Sequence, residues 1–132
     1  MNCSDVITGY LEAAGIKHIF GYPGDPSVEL LETARRNGIE FVLARREGTA
    51  GLMAAAYGQI TGKPGVCLST LGPGSSNLVN AVASAKLDRT PMIALSGQID
   101  AKREHTFTHQ VLDHNAMFAP ISKWAAPIRP DT

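Results

Sequence analysis

At 132 residues, with twelve Lys and Arg against twelve Asp and Glu, the chain is long enough for one domain and carries no net charge. That balance excludes the electrostatic footprint of a nucleic-acid or anionic-membrane binder, and no apolar run approaches the ~20 residues of a membrane span. Cys3 and Cys67 are too few and too far apart for a disulfide framework or a zinc knuckle, so a soluble, cytoplasmic protein with a buried free thiol at Cys67 is expected.

Helix-like and strand-like hydrophobic patterns alternate along the chain, which predicts an α/β fold: an open, mostly parallel sheet flanked by helices. Ser4 is placed to cap a helix running to about Ala14, with Val6, Ile7, Tyr10 and Leu11 at helical spacing and Gly15 as its stop. His18-Ile19-Phe20 reads as the first strand, and His18 as a structural residue. After Gly21-Tyr22-Pro23-Gly24, Asp25 is expected to cap a second helix with Pro26 at its first position and Val28, Leu30, Leu31 and Ala34 facing inward. Gly38 ends it.

Phe41-Val42-Leu43-Ala44 predicts a second buried strand, followed by Glu47 and a helix over about Thr49 to Ile60. Val66 to Ser69 is the third strand, Ser76 to Leu87 the next helix, and Met92 to Leu95 the fourth strand. Residues 97–115 are polar, hold His105, His109 and His114, and read as a loop leading into a short helix. Those histidines fit no compact zinc spacing, and solvated loop residues are expected.

The candidate functional turns all follow strands and precede helices, at the carboxyl edge where open α/β sheets bind ligands. One is Arg45-Arg46-Glu47-Gly48-Thr49-Ala50-Gly51, which sets a carboxylate between a buried strand and a helix of small residues. Such a group is costly without a partner, and poor hydration beside Gly48, Ala50, Gly51 and Ala54 suits it to sharing a proton. A bland account is also open: a carboxylate complementing the helix dipole, paired with Arg45 or Arg46. The other is Leu71-Gly72-Pro73-Gly74-Ser75-Ser76-Asn77, readable as a turn with a capped helix start or as a phosphate cradle. The small face of Ala50, Met53, Ala54, Tyr57 and Gly58 is compatible with an ordinary core or with a subunit interface.

These motifs, with Gly21-Tyr22-Pro23-Gly24 upstream, resemble in order and spacing the pyrimidine-binding domain of thiamine diphosphate enzymes, in the acetolactate synthase and 2-oxo-acid decarboxylase branch. Thr61 to Val66 and Thr90 to Gly97 resemble the acetolactate synthase members in particular, and the likeness covers roughly residues 4 to 127.

The resemblance implies that Glu47 is the acid hydrogen-bonded to N1′ of the aminopyrimidine, a relay that lets the cofactor's own 4′-amino group take the proton from C2 of its thiazolium. It implies that Gly72, Pro73, Gly74 and Asn77 line the pyrimidine rather than a phosphate, and that Tyr22, Pro23, Gly24 and Asp25 line the substrate entrance. Gln110 and His109 become a contact to the reacting intermediate and an acid/base. Many members carry His-Glu-Gln where this chain has Arg46-Glu47-Gly48, so substrate handling differs while the relay carboxylate stays.

In the family a middle domain and a diphosphate-binding domain, whose Gly-Asp-Gly signature and downstream Asn hold Mg2+, accompany this one; Gly24-Asp25-Pro26 is not that signature. Residues 1–132 are therefore expected to be a single, incomplete N-terminal domain, stopping at Pro130-Asp131-Thr132. Activity is expected only with a partner: a homodimer or larger oligomer, or a separate diphosphate-domain subunit, acting on a 2-oxo acid. The rival readings are the short subunit of a two-gene 2-oxo-acid decarboxylase and a non-catalytic dimerisation or regulatory module.

Overall fold

A computed structural model describes residues 2–100, 102, 103, 106 and 108–128. His105 and the terminal Pro130-Asp131-Thr132 lie outside the described residues. The elements run α1 (Cys3–Ala13), β1 (His18–Gly21), α2 (Val28–Arg36), β2 (Glu40–Leu43), α3 (Glu47–Thr61), β3 (Gly65–Ser69), α4 (Pro73–Leu87), β4 (Met92–Ser96) and α5 (His114–Phe118).

The four strands form one parallel sheet in the order β2-β1-β3-β4, the expected α/β architecture. Because the chain crosses from β2 over β1 to reach β3, the order reverses between β1 and β3, the place where an open sheet leaves a crevice at its carboxyl ends.

Strand alternation sorts the core into two layers. Ile19, Val66 and Leu68 face Leu11, Ile16, Ala34 and Ile39 under α1 and α2, while Phe20 and Cys67 face Ala50, Ala54, Leu78 and Val82 under α3 and α4. The small residues of α3 serve this second layer within the chain. A Cβ at Gly51 would stand 3.2 Å from Leu78 and overlap Ala81, one at Gly58 would overlap the Pro91 carbonyl, and Gly65 lies against the Ala54 main chain. Close packing inside the domain thus accounts for Ala50, Ala54 and Gly58 of that face, and α3's large exposed apolar side chains are Leu52 and Ile60.

Several helix starts differ from expectation. Asn2, not Ser4, caps α1, accepting from the Asp5 N–H at 2.9 Å. Asp25 is not a cap: it lies inside a short 3-10 turn, Asp25–Ser27, closed when the Ser27 hydroxyl donates to the Gly24 carbonyl at 2.7 Å. Val28 is exposed, and Thr33 takes the inward place beside Ala34. Both α3 and α4 begin earlier than their periodicity suggests, at Glu47 and Pro73, which brings the two candidate motifs into the first helical turns.

Candidate functional site

Glu47 is the first residue of α3, entered from an extended Arg46 (φ −148°, ψ 141°). The residue is 9 % exposed, and its carboxylate Oε2 accepts from Asn77 Nδ2 of α4 at 3.0 Å. Helix starts carry partial positive charge, which favours an acid there. Among the described residues neither Arg45 nor Arg46, both exposed, pairs with it, so the account in which an arginine neutralises Glu47 loses its partner. Asn77 can reach because α3 and α4 touch through glycine and alanine.

The loop after β1 and the turn after β3 meet beside Glu47 at the crevice between β1 and β3, and Thr70, the residue after β3, is their point of contact. From the loop after β1, Gly24 abuts Thr70 so closely that a Cβ would overlap its hydroxyl. From the start of α4, Gly74 abuts the same side chain: a Cβ there would lie 2.7 Å from Thr70 Cγ2 and 3.2 Å from Glu47 Oε1. Tyr22, Pro23 and Asp25 are exposed on the rim above Gly24, and Pro73 is exposed at the first position of α4.

Gly72 is buried with φ 59°, a left-handed conformation that glycine adopts at no steric cost. Its close approach is to main chain: a Cβ would overlap the Gln110 carbonyl. Gln110 therefore reaches the turn through its backbone, itself at φ 61°, while it and His109 are exposed in the loop before α5.

The expectation of solvated loop histidines fails for His114. It begins α5, it is half-buried, and both ring nitrogens have partners: Nε2 accepts from the Gly72 N–H at 3.0 Å and Nδ1 lies 3.3 Å from Ser96 Oγ. Burial holds its pKa below the ordinary value, against the opposing charge of Asp113. Behind the turn, the Ser96 hydroxyl meets that of Ser75, which donates to the Thr70 carbonyl at 3.0 Å and lies 3.3 Å from Ser69 Oγ. Thr70, Ser96 and His114 join this cluster although no motif assigns them to it, and Ser75, inside the Leu71 to Asn77 motif, joins it through its hydroxyl. The one signal for Thr70 is its position between a fully buried strand and Gly72-Pro73-Gly74.

Elsewhere, Cys67 is a buried thiol whose pKa desolvation pushes up to about 12, and Cys3 is exposed. His18 opens β1 beside Phe20 and Tyr57, with Glu40 at 3.6 Å. Among the described residues, no helix is long and apolar enough to cross a membrane.

Residues 1–117 match the family described as "Thiamine pyrophosphate enzyme, N-terminal TPP binding domain". The chain is similar to the catabolic acetolactate synthase of Raoultella terrigena, 38% identical over 125 residues, which is 95% of this chain and 22% of that protein. It is similar to the acetolactate synthase of Bacillus subtilis (strain 168), 36% identical over 126 residues, 96% of this chain and 22% of the relative. The putative thiamine pyrophosphate-containing protein YdaP of the same organism is 43% identical over 118 residues, 88% of this chain and 21% of the relative. The chain thus spans about a fifth of the length of the curated relatives it matches.

Proposed function

The chain belongs to the family of thiamine pyrophosphate enzyme N-terminal domains, and from that premise we propose that it receives the aminopyrimidine half of thiamine diphosphate in an acetolactate-synthase-like enzyme acting on 2-oxo acids. The observation that carries the reading is the Glu47 carboxylate. One oxygen is fixed by Asn77, and among the described residues the other, Oε1, takes no hydrogen bond and borders the space that a Cβ on Gly74 would fill. A nearly buried acid with one oxygen held and one facing a gap suits a ring nitrogen that needs a proton donor.

When bound, thiamine diphosphate supplies a thiazolium carbon whose acidity depends on a carboxylic acid hydrogen-bonded to its pyrimidine ring. The chain's own residues do the rest of the work at this end. Glu47 holds a proton at Oε1, Asn77 fixes the carboxylate's orientation, and Thr70 and Gly74 wall the gap. Gly72 and Pro73 shape the turn that bears Gly74. Tyr22, Pro23, Gly24 and Asp25 form the entrance through which a 2-oxo acid passes, and Gln110 and His109, on the loop over Gly72, are the groups available to a reacting intermediate.

In this reading, residues 1–132 act as one N-terminal domain, and Mg2+ and the diphosphate are held by a diphosphate-binding domain, in the same polypeptide or in a partner subunit. A cofactor gripped at both ends needs both domains, and in this reading the active form is an oligomer, a lyase or transferase of the cytoplasm.

Glu47→Gln keeps the shape and the Asn77 contact and removes the shared proton. In the holoenzyme, hydrogen-deuterium exchange at the cofactor's C2 is expected to slow about a thousandfold, the equivalent of ~4 kcal/mol in the transition state. Near-equal exchange with a lowered melting temperature would make Glu47 a structural carboxylate and remove the proposal's support.

A further inference from the structure

The turn at Gly72 is held from two directions by one segment, residues 110–114. The Gln110 main chain fills the space beside its Cα, and His114 Nε2 accepts its N–H at 3.0 Å. A backbone N–H can only donate, so Nε2 must be bare and the neutral ring carries its proton on Nδ1. Nδ1 faces Ser96 Oγ at 3.3 Å, and from Ser96 the contacts continue through the Ser75 hydroxyl to the Thr70 carbonyl and to Ser69. Ser69 and Ser75 are fully buried. A single polar chain therefore runs from α5 across the ends of β4 and β3 into the start of α4, the helix whose Gly74 and Asn77 meet Glu47.

We propose that His114 is a positioning residue for the Gly72–Gly74 turn, competent only as the neutral imidazole protonated on Nδ1, and that acid releases the turn from its place beside Glu47. Protonation adds an N–H to the ring on the side of the Gly72 N–H, so an accepted hydrogen bond becomes two donors facing each other. The groups that reach the ring from α4 and β4 are the Gly72 N–H and the Ser96 hydroxyl, neither of which titrates near neutrality. Asp113, its chain neighbour, favours the cation, and burial outweighs it. As pH falls, the unfolded chain takes up this proton before the folded one does. The stability that the contact contributes is therefore whole above about 6.5 and is lost as pH drops below that value. The inference about the turn stands on these contacts alone; its bearing on the cofactor rests on the function proposed above.

Ring and amide 15N NMR of the full chain, titrated from about pH 8 to about pH 5, reads the tautomer and the turn together. The expected result is a bare Nε2 and a protonated Nδ1 on His114 at the upper end, with the Gly72 amide shifting in step as the ring titrates below its ordinary value. His114→Gln, whose amide oxygen can accept where Nε2 does, is expected to keep the Gly72 shift and lose its pH dependence, whereas His114→Leu loses both. An Nε2-protonated ring, a Gly72 amide indifferent to His114, or equal losses for Gln and Leu overturns the proposal, whether or not the holoenzyme binds thiamine diphosphate. A Gly72 amide that follows His114 in a protein that binds no thiamine diphosphate supports the proposal and overturns only the function proposed above.

Discussion

The two faces of the sheet solve the same burial problem with different materials. Under α1 and α2 the layer is made of branched and long side chains, Leu11, Ile16, Ile19 and Ile39, with Leu30 and Leu31 at its border. Under α3 and α4 the large side chains Phe20, Leu78 and Val82 are interleaved with Ala50, Gly51, Ala54 and Ala81, and Gly48 brings the start of α3 against the Asn77 carbonyl of α4. The first arrangement yields to small shifts, because long side chains can change rotamer. The second yields less where Gly48, Gly58 and Gly65 set main chain against main chain. Glu47, Asn77 and the Gly72 turn all belong to the second face, where the separation of two helices fixes the separation of a carboxylate and its partner.

If the contrast is real, chemical access should divide the two cysteines most strongly. Cys67 lies on the small-residue side with its pKa pushed up to about 12 and Cys3 is exposed, so at neutral pH Cys67 holds about a thousandfold less thiolate than an ordinary thiol and is shielded as well. Timed alkylation with mass readout should label Cys3 promptly and Cys67 only as the domain opens. Comparable rates would mean that this face is loose.

Next in size is a methyl group placed between main chains. Gly65→Ala would push a Cβ into the Ala54 backbone, and a loss of about 3 kcal/mol in urea unfolding is expected. A loss below ~1 kcal/mol would show that the helix can shift, and with it the Glu47 to Asn77 spacing.

Smaller again is Asn77→Ala, which removes the one side-chain hydrogen bond that Glu47 takes among the described residues while leaving α4 intact. Cofactor affinity in the holoenzyme is expected to fall about fivefold to tenfold, with little change in melting temperature. The reverse pattern, unchanged affinity and a lower melting temperature, would make the pair a helix tie only.

The least effect, and of opposite sign, belongs to the other face. A Cβ added at Gly9 in α1 would meet nothing within 4 Å, so Gly9→Ala should stabilise by roughly 0.5–1 kcal/mol through helix propensity. Destabilisation there would erase the distinction between the two layers.

The strands are readable in the sequence because Ile19-Phe20 and Val66-Cys67-Leu68 are short apolar runs bounded by glycine, and their placement fixes which turns share an edge. Glu47 is readable because a carboxylate among glycine and alanine is unexpected on energetic grounds. The helix starts are less so. Arg46 and Gly72 precede α3 and α4 without any side-chain cap, and the Ser27 hydroxyl, rather than the Asp25 carboxylate, closes the turn before α2. His114 is illegible for a different reason: its partner Gly72 is 42 positions away, and nothing in the polar stretch around it announces that contact. The same holds for Ser96, which in isolation is only the polar end of a strand.

Strand β3 is paired on both sides, to β1 and β4, and every residue of it is buried, whereas β4 pairs, among the described residues, with β3 alone and is part-exposed along its length. Amide hydrogens in β3 should therefore exchange with solvent only when the whole domain opens, and those of β4 through cheaper, local openings. Ser69 and Ser96 stand opposite each other in the ladder, one on each strand. The hydroxyl chain behind the Gly72 turn thus crosses from the slowest part of the molecule to a faster one, and its lifetime is set by the fraying of an edge strand.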